Sequence, residues 1–302
     1  MKNYEEIVGY FDYTPAAWVR VTGEDALSFL QGQFTQELRP DRAPPAVYGL
    51  WLNQKGRVVA DSWVLRVSAT EVWLYSEHSP ARVICDRLEA YIIADDVTLE
   101  DRSADVRARV YLGAAGAAAL AQQAGGVLPS EGQFALPEQA LVFRGRRGAV
   151  EAWEWVGVEL PPVPEGLPAR TATELEVLRL EAGVPRIPGD VGPGDLPNEA
   201  GLDASAISYT KGCYLGQEVM ARLKSMGRVR RRLLRVEAEQ GVAGALPQPL
   251  YQGGRVCGEL RTAATAASGR SVGLAMCTLL GLDFSRPLTS APDGGVSWRL
   301  RD

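Results

Sequence analysis

The chain has 302 residues, 46% of them hydrophobic and 23% charged, with a formal net charge of −5. That length buries a core without a disulfide or metal staple, and the acidic total argues against a generic nucleic-acid coat, though not against a local basic patch. The single histidine, His78, excludes His-rich metal sites and argues against Ser-His-Asp or Cys-His catalysis, in which one imidazole would do everything.

Residues 16–21, AAWVRV, read as a short strand. Thr22 then caps a helix, with Asp25 as its capping-box partner and Leu27, Leu30, Phe34 and Leu38 at helical spacing. Residues 46–52 and 57–67 form the arms of a hairpin around the turn Asn53–Gly56, and 71–76 is the next strand. Ser79-Pro80 opens a helix carrying Ile84, Leu88, Tyr91 and Ile92 on one side. Two further strands, VTLED and VRARVYLG, precede an Ala-rich helix at 113–124. Strands that follow one another through short turns, mixed with helices, favour an α+β fold over a doubly wound sheet. After the proline-rich connection 161–168, Thr171 and Glu174 box the start of a helix that ends at Gly183. The Pro/Gly-rich stretch 184–201 is longer than an ordinary connection, and such loops are often functional. From about Gly227 the pattern is strand and turn only, which predicts a small antiparallel barrel or sandwich. Three regions follow: 1–160, 161–226 and 227–302.

Two acids stand in unfavourable settings. Strand alternation puts Asp61 on one face with Val59, Trp63, Leu65 and Val67, so it needs an ion-pair partner or a ligand. Glu181 sits in the last turn of its helix, where the dipole disfavours an anion, so Arg179, Arg186 or a ligand N–H is expected to compensate it. Cys213 lies in the loop Lys211–Gly216, just before a short helix. It is either a buried inert thiol or one that gains thiolate character from the lysine and the helix N-terminus. The other cysteines, Cys85, Cys257 and Cys277, form no CxxC pair with it. Arg222, Lys224, Arg228, Arg230, Arg231, Arg232 and Arg235 make a basic stripe, suited to an anionic tail or acidic partner, or simply a solvated strand face. No stretch reaches the roughly 18 apolar residues of a membrane span and no targeting pattern opens the chain, so the expectation is a soluble cytoplasmic protein.

KGCYLGQE at 211–218, followed by VMARLKSMGRVRRRL, resembles the signature of the YgfZ family of folate-binding proteins, related to the T-protein (aminomethyltransferase) of the glycine cleavage system. VTGEDALSFLQGQFTQEL, LNQKGRVVAD and LEVLRLEAGVPRI agree with it in order. The resemblance implies a clover-like arrangement of two α+β parts around a central folate cavity, completed by a C-terminal antiparallel β-barrel. It implies tetrahydrofolate or a one-carbon derivative as cofactor, held by Asp61, Trp63, Glu181, Lys211, Tyr214, Gln217 and Arg228, with Cys213 as the reactive thiol. No metal ligands are implied. The sequence departs from T-proteins in having Ala60-Asp61 where they show two aspartates, and in carrying the KGC cysteine. The implied role is an accessory protein for iron–sulfur cluster assembly or repair, with client iron–sulfur enzymes, including radical tRNA-modifying enzymes, as partners. The alternative is an aminomethyltransferase using tetrahydrofolate and a lipoyl carrier protein, with Asp61 as a catalytic residue orienting the one-carbon unit. An RNA-binding module is a third reading, against which the net charge counts.

Overall fold

A computed structural model describes residues 7–137, 140–148, 150–242 and 244–301. Its first sheet is built from β2 (Ala17–Thr22), β3 (Ala46–Leu52), β4 (Val58–Arg66), β5 (Glu71–Ser76) and β6 (Thr98–Asp101), in the order β3-β4-β5-β2-β6. The second uses β1 (Gly9–Tyr13), β7 (Arg107–Leu112), β8 (Phe134–Ala135), β9 (Ala140–Arg144) and β10 (Ala152–Gly157), in the order β1-β7-β10-β9-β8. Six strands, β11 (Arg231–Ala238), β12 (Gln248–Gln252), β13 (Arg255–Thr265), β14 (Ser271–Thr278), β15 (Leu288–Ala291) and β16 (Gly294–Arg301), close into a barrel. The fold is α+β with a C-terminal β-barrel.

Alternation along β4 covers both faces of the first sheet. Ala60 and Val64 pack with Phe29 and Leu30 of α1 (Ala26–Gln33) and with Ile84 and Leu88 of α2 (Ala81–Glu89). Trp63 and Leu65 face the other way, into a core shared with Leu141, Phe143 and Val156 of the second sheet. α3 (Gly113–Gln123) covers the far side of the second sheet, where Leu120 meets Tyr111, Trp153 and Trp155. α4 (Ala172–Glu181) bridges the parts: Leu178 packs on Val110 and Leu112, whereas Leu180 packs on Val272 and Leu274 of the barrel. α5 (Gln217–Met226) and the loop before it pack on the β3–β4 hairpin through Met220 and Tyr214, which meet Leu50, Leu52 and Val58.

Several expectations need correction. Thr22 ends β2 and caps nothing. Gly23 turns the chain so tightly against Asp96 that a Cβ there would lie 1.9 Å from its carbonyl oxygen, and α1 starts only at Ala26. α1 is also short. Phe34 is already extended and bridges to Trp51, so Leu38 is buried without being helical. Pro80, not Ser79, is the N-cap of α2, because the Ser79 hydroxyl is used elsewhere. β11 begins at Arg231, so Arg228 and Arg230 precede the barrel instead of alternating along a strand. The Thr171–Glu174 capping box is present as expected, and Gly183 ends the helix at a φ of 69°.

Candidate functional site

A cavity of about 250 Å³ lies where the inter-sheet core opens towards α4. Asp61 enters it from β4. Its Oδ2 accepts from Tyr48 Oη at 2.8 Å, and its Oδ1 lies 3.1 Å from the Ser76 hydroxyl and 2.6 Å from that of Ser79. The Asp61 amide in turn donates to Ser79 Oγ at 3.0 Å. Strand phase thus delivers an acid to the inter-sheet face, and three hydroxyls answer it. Burial and the Asp61 charge push the Tyr48 phenol well above its ordinary value, so it remains an O–H donor. Trp63, Tyr75 and Phe11 supply aromatic wall, with Trp63 packed 5.8 Å from Tyr48 and 5.7 Å from Phe143, centroid to centroid.

The opposite wall is an ion network. Arg147, in the β9–β10 loop, reaches Glu154 through Nε at 2.7 Å, pairs with Glu77 beyond β5, and stacks on Tyr13 with 4.7 Å to the ring centroid. Burial opposes the charge on Arg147, but Glu154 and Glu77 outweigh it and raise its pKa well above the ordinary value. Tyr13 donates to Glu154 at 2.6 Å. On α4, Glu176 pairs with Arg179 at 2.7 Å and Arg186 at 2.5 Å, and Arg179 also holds the fully buried Asp190 at 2.6 Å. Arg179 further touches Thr262 of the barrel at 3.3 Å, yet among the described residues the barrel lends no side chain to the cavity lining.

Of the expected site residues, only Asp61 and Trp63 meet here. Glu181 lies outside this cavity and borders a second, apolar one between α4 and the β13–β14 turn. Its carboxylate pairs with Arg270 of the barrel, not with Arg179 or Arg186. At 100° per residue the two helix positions 176 and 181 differ by about 140°, which turns Glu176 inward and Glu181 away. Lys211 is buried, and its Nζ donates to the carbonyls of Gln31, Phe34 and Gln36 at 2.6–2.8 Å, tying its loop to the end of α1. It therefore holds helix-end carbonyls and is not directed at Cys213, which is exposed. Tyr214 is core, and Gln217 is the first residue of α5. Arg228 is exposed beyond the end of α5. The 211–218 loop and the cavity are thus separate places. The residues that sequence reasoning missed are Tyr13, Tyr48, Glu77, Arg146, Arg147, Glu154 and Glu176. The only local signal was the basic turn Arg144–Arg147 before a Trp-rich segment.

Two antiparallel sheets, a bridging helix and a closed barrel give the fold of the glycine cleavage aminomethyltransferases. The structure of glycine cleavage system aminomethyltransferase T from Bartonella henselae superposes with a TM-score of 0.79 over 98% of this chain and 85% of that one, at 16% identity, which shows the shared fold. The GCVT N-terminal domain family matches residues 1–129. The mitochondrial iron–sulfur cluster assembly factor IBA57 of Homo sapiens is 33% identical over 243 residues, 72% of this chain and 63% of its own length. The tRNA-modifying protein YgfZ of Escherichia fergusonii is 27% identical over 241 residues, 77% of this chain and 72% of its own. The chain is thus related to the IBA57 and YgfZ proteins and shares its fold with the glycine cleavage T-proteins. No helix among the described residues is long and apolar enough to cross a membrane.

Proposed function

We propose that this protein is a cytoplasmic folate-binding accessory factor that supports iron–sulfur cluster assembly or repair in client enzymes, radical tRNA-modifying enzymes among them. The observation that carries the reading is Asp61: a carboxylate fixed by three hydroxyls at the floor of an aromatic-walled cavity, with no cation paired to it among the described residues. The names of the IBA57 and YgfZ relatives support the iron–sulfur and tRNA part of the proposal.

The residues present fit a tetrahydrofolate. An ionised carboxylate offers about four acceptor positions, and the Tyr48, Ser76 and Ser79 hydroxyls occupy three, leaving one for a ligand N–H. A volume of about 250 Å³ is below the roughly 300–1,000 Å³ of pockets that hold whole drug-sized ligands, so it suits the ring end, with the tail leaving through the mouth. Trp63, Tyr48 and Tyr75 would flank the ring, and Asp61 would orient it. Bound tetrahydrofolate supplies amines able to carry a one-carbon unit. Cys213, on a separate exposed loop, would be the thiol offered to clients.

Calorimetric titration with tetrahydrofolate and its methylene and formyl forms tests the cavity. Asp61→Ala should bind about 10–100-fold more weakly, the cost of losing a charged acceptor. Unchanged affinity in that variant sinks the assignment. Cys213→Ser should bind folate normally yet fail to support iron–sulfur enzymes in a deletion strain.

A further inference from the structure

Among the described residues, the charges around the cavity pair off with two exceptions, Asp61 and Arg146. Arg147 holds Glu77 and Glu154, while Arg179 and Arg186 hold Glu176. Asp61 is answered only by hydroxyls, and among the described residues no carboxylate pairs with Arg146. Both lie on Tyr48: its hydroxyl donates to Asp61 at 2.8 Å, and the Arg146 guanidinium stands 4.6 Å from its ring centroid. Arg146 lines the cavity and is half-buried. Arg146 engages Tyr48 through both its ring and its hydroxyl, and as a half-desolvated guanidinium left out of the surrounding ion pairs it has further N–H groups to offer a ligand.

We infer that Arg146 is a specificity-determining residue that donates to an acceptor oxygen of the ligand while Asp61 accepts its N–H. This rests on the folate reading above and names a second contact for it. Tyr48 serves as the spacer: one face carries the guanidinium and its phenol fixes the carboxylate, so the cavity presents a donor and an acceptor together. A tetrahydrofolate offers two acceptors of this chemistry, the ring carbonyl beside its N–H and the carboxylates of its tail. The planar fork of arginine suits either. Rings without an acceptor oxygen would leave Arg146 unanswered, and such a site rejects ligands that lack the matching group.

The test is titration of wild type, Arg146→Met and Arg146→Lys with tetrahydrofolate and with the tail-free 6-methyltetrahydropterin. Arg146→Met should weaken tetrahydrofolate about 10–100-fold, as expected for a hydrogen bond to a charged group, with Arg146→Lys in between and all three melting alike. The same loss with the tail-free pterin assigns the contact to the ring carbonyl. A loss confined to tetrahydrofolate assigns it to the tail. Wild-type affinity in Arg146→Met overturns the inference and leaves the cavity standing. Equal losses in both variants together with a lowered melting temperature also overturn it, because Arg146 would then serve structure. Failure of the wild type to bind either compound removes the folate reading itself.

Discussion

Arg147 donates from Nε to Oε1 of Glu154 across 2.7 Å, and both side chains are buried. The pair ties the β9–β10 loop to the strand it leads into, and the pairing of Arg147 with Glu77 extends the tie to the first sheet. Breaking a buried pair from one side strands a charge, which costs about 3–5 kcal/mol. Glu154→Gln should therefore lower stability by about that much, and Arg147→Met, which strands two acids, by at least as much. Urea denaturation reads both. A loss under about 1 kcal/mol in each would mean that water, not the network, satisfies these groups.

The same network sets an acid limb. Burial would raise the Glu77 carboxyl, but Arg147 and then His78 outweigh it and hold the pKa at about 2, below the ordinary 4.5. A carboxylate with a lowered folded pKa gives stability that is complete above the unfolded value and disappears as pH falls through the folded one. For Glu77 that window runs from 4.5 down to about 2. Melting temperature followed across it should fall in wild type and fall less in Arg147→Met. Parallel curves would remove Glu77 from the acid limb.

Asp61 and Glu181 separate folate binding from domain packing. Asp61→Ala should weaken folate and also lower the melting temperature, because the Tyr48, Ser76 and Ser79 hydroxyls lose their acceptor. Glu181→Ala should leave folate affinity alone and lower stability, because its carboxylate meets Arg270 where α4 docks on the barrel. Calorimetric titration and thermal melts of the two variants give the contrast. A folate defect in Glu181→Ala would place the ligand on the other side of α4.

Sequence patterning revealed one sheet and, of the other, only β7. β4 alternates along most of its length, and β3, β4 and β5 join by short turns, so their limits were legible, as were α3, α4 and the strand-and-turn character of the barrel. β1, β9 and β10 were not. Glu154 and Arg147 interrupt the apolar pattern there, and they are tolerated because they answer each other, with Glu77 and Tyr13 completing the network. Asp61 was legible because an acid in phase with Trp63 and Leu65 is costly without a partner. Its partners were not, since Ser79 looked like a helix cap. Glu181 misled because its helix-end position needed a donor, and Arg270, some ninety residues later, supplies it. The Tyr48–Arg146 contact joins strand β3 of the first sheet to the β9–β10 loop of the second, and nothing local announces it.

Gly216 joins two of the motifs that carry the family likeness. It takes a φ of 86° at the N-cap of α5, and a Cβ there would lie 2.8 Å from the Asn53 carbonyl oxygen in the hairpin turn. Gly216→Ala combines left-handed strain, about 1 kcal/mol or more, with a backbone clash that must push the loop off the hairpin. The expected outcome is a loss of about 2–3 kcal/mol in urea denaturation, with folate affinity kept because the cavity lies elsewhere. A neutral effect would show that the two motifs merely touch.

The four cysteines should alkylate in a fixed order, and Lys211 should have little part in setting it. Cys213 is exposed, whereas Cys277 is buried and its thiol is pushed up to about 12. Burial likewise raises Cys85 to about 11, and it raises Cys257. Timed labelling read by mass spectrometry should therefore modify Cys213 first and the others only on unfolding. Lys211 sits two residues away, and a neighbouring ammonium is a usual activator of a thiol. Here its three N–H groups are taken by the carbonyls of Gln31, Phe34 and Gln36, and burial lowers the ammonium to about 8. Lys211→Met leaves those carbonyls without their donor, at a cost of about 2–3 kcal/mol. The Cys213 rate in the folded variant should stay within about threefold of wild type, since an already exposed thiol gains little access. A rate tenfold lower with unchanged stability would reverse the assignment and make Lys211 the activating cation. Labelling of Cys257 or Cys85 ahead of Cys213 would remove Cys213 from its proposed role altogether.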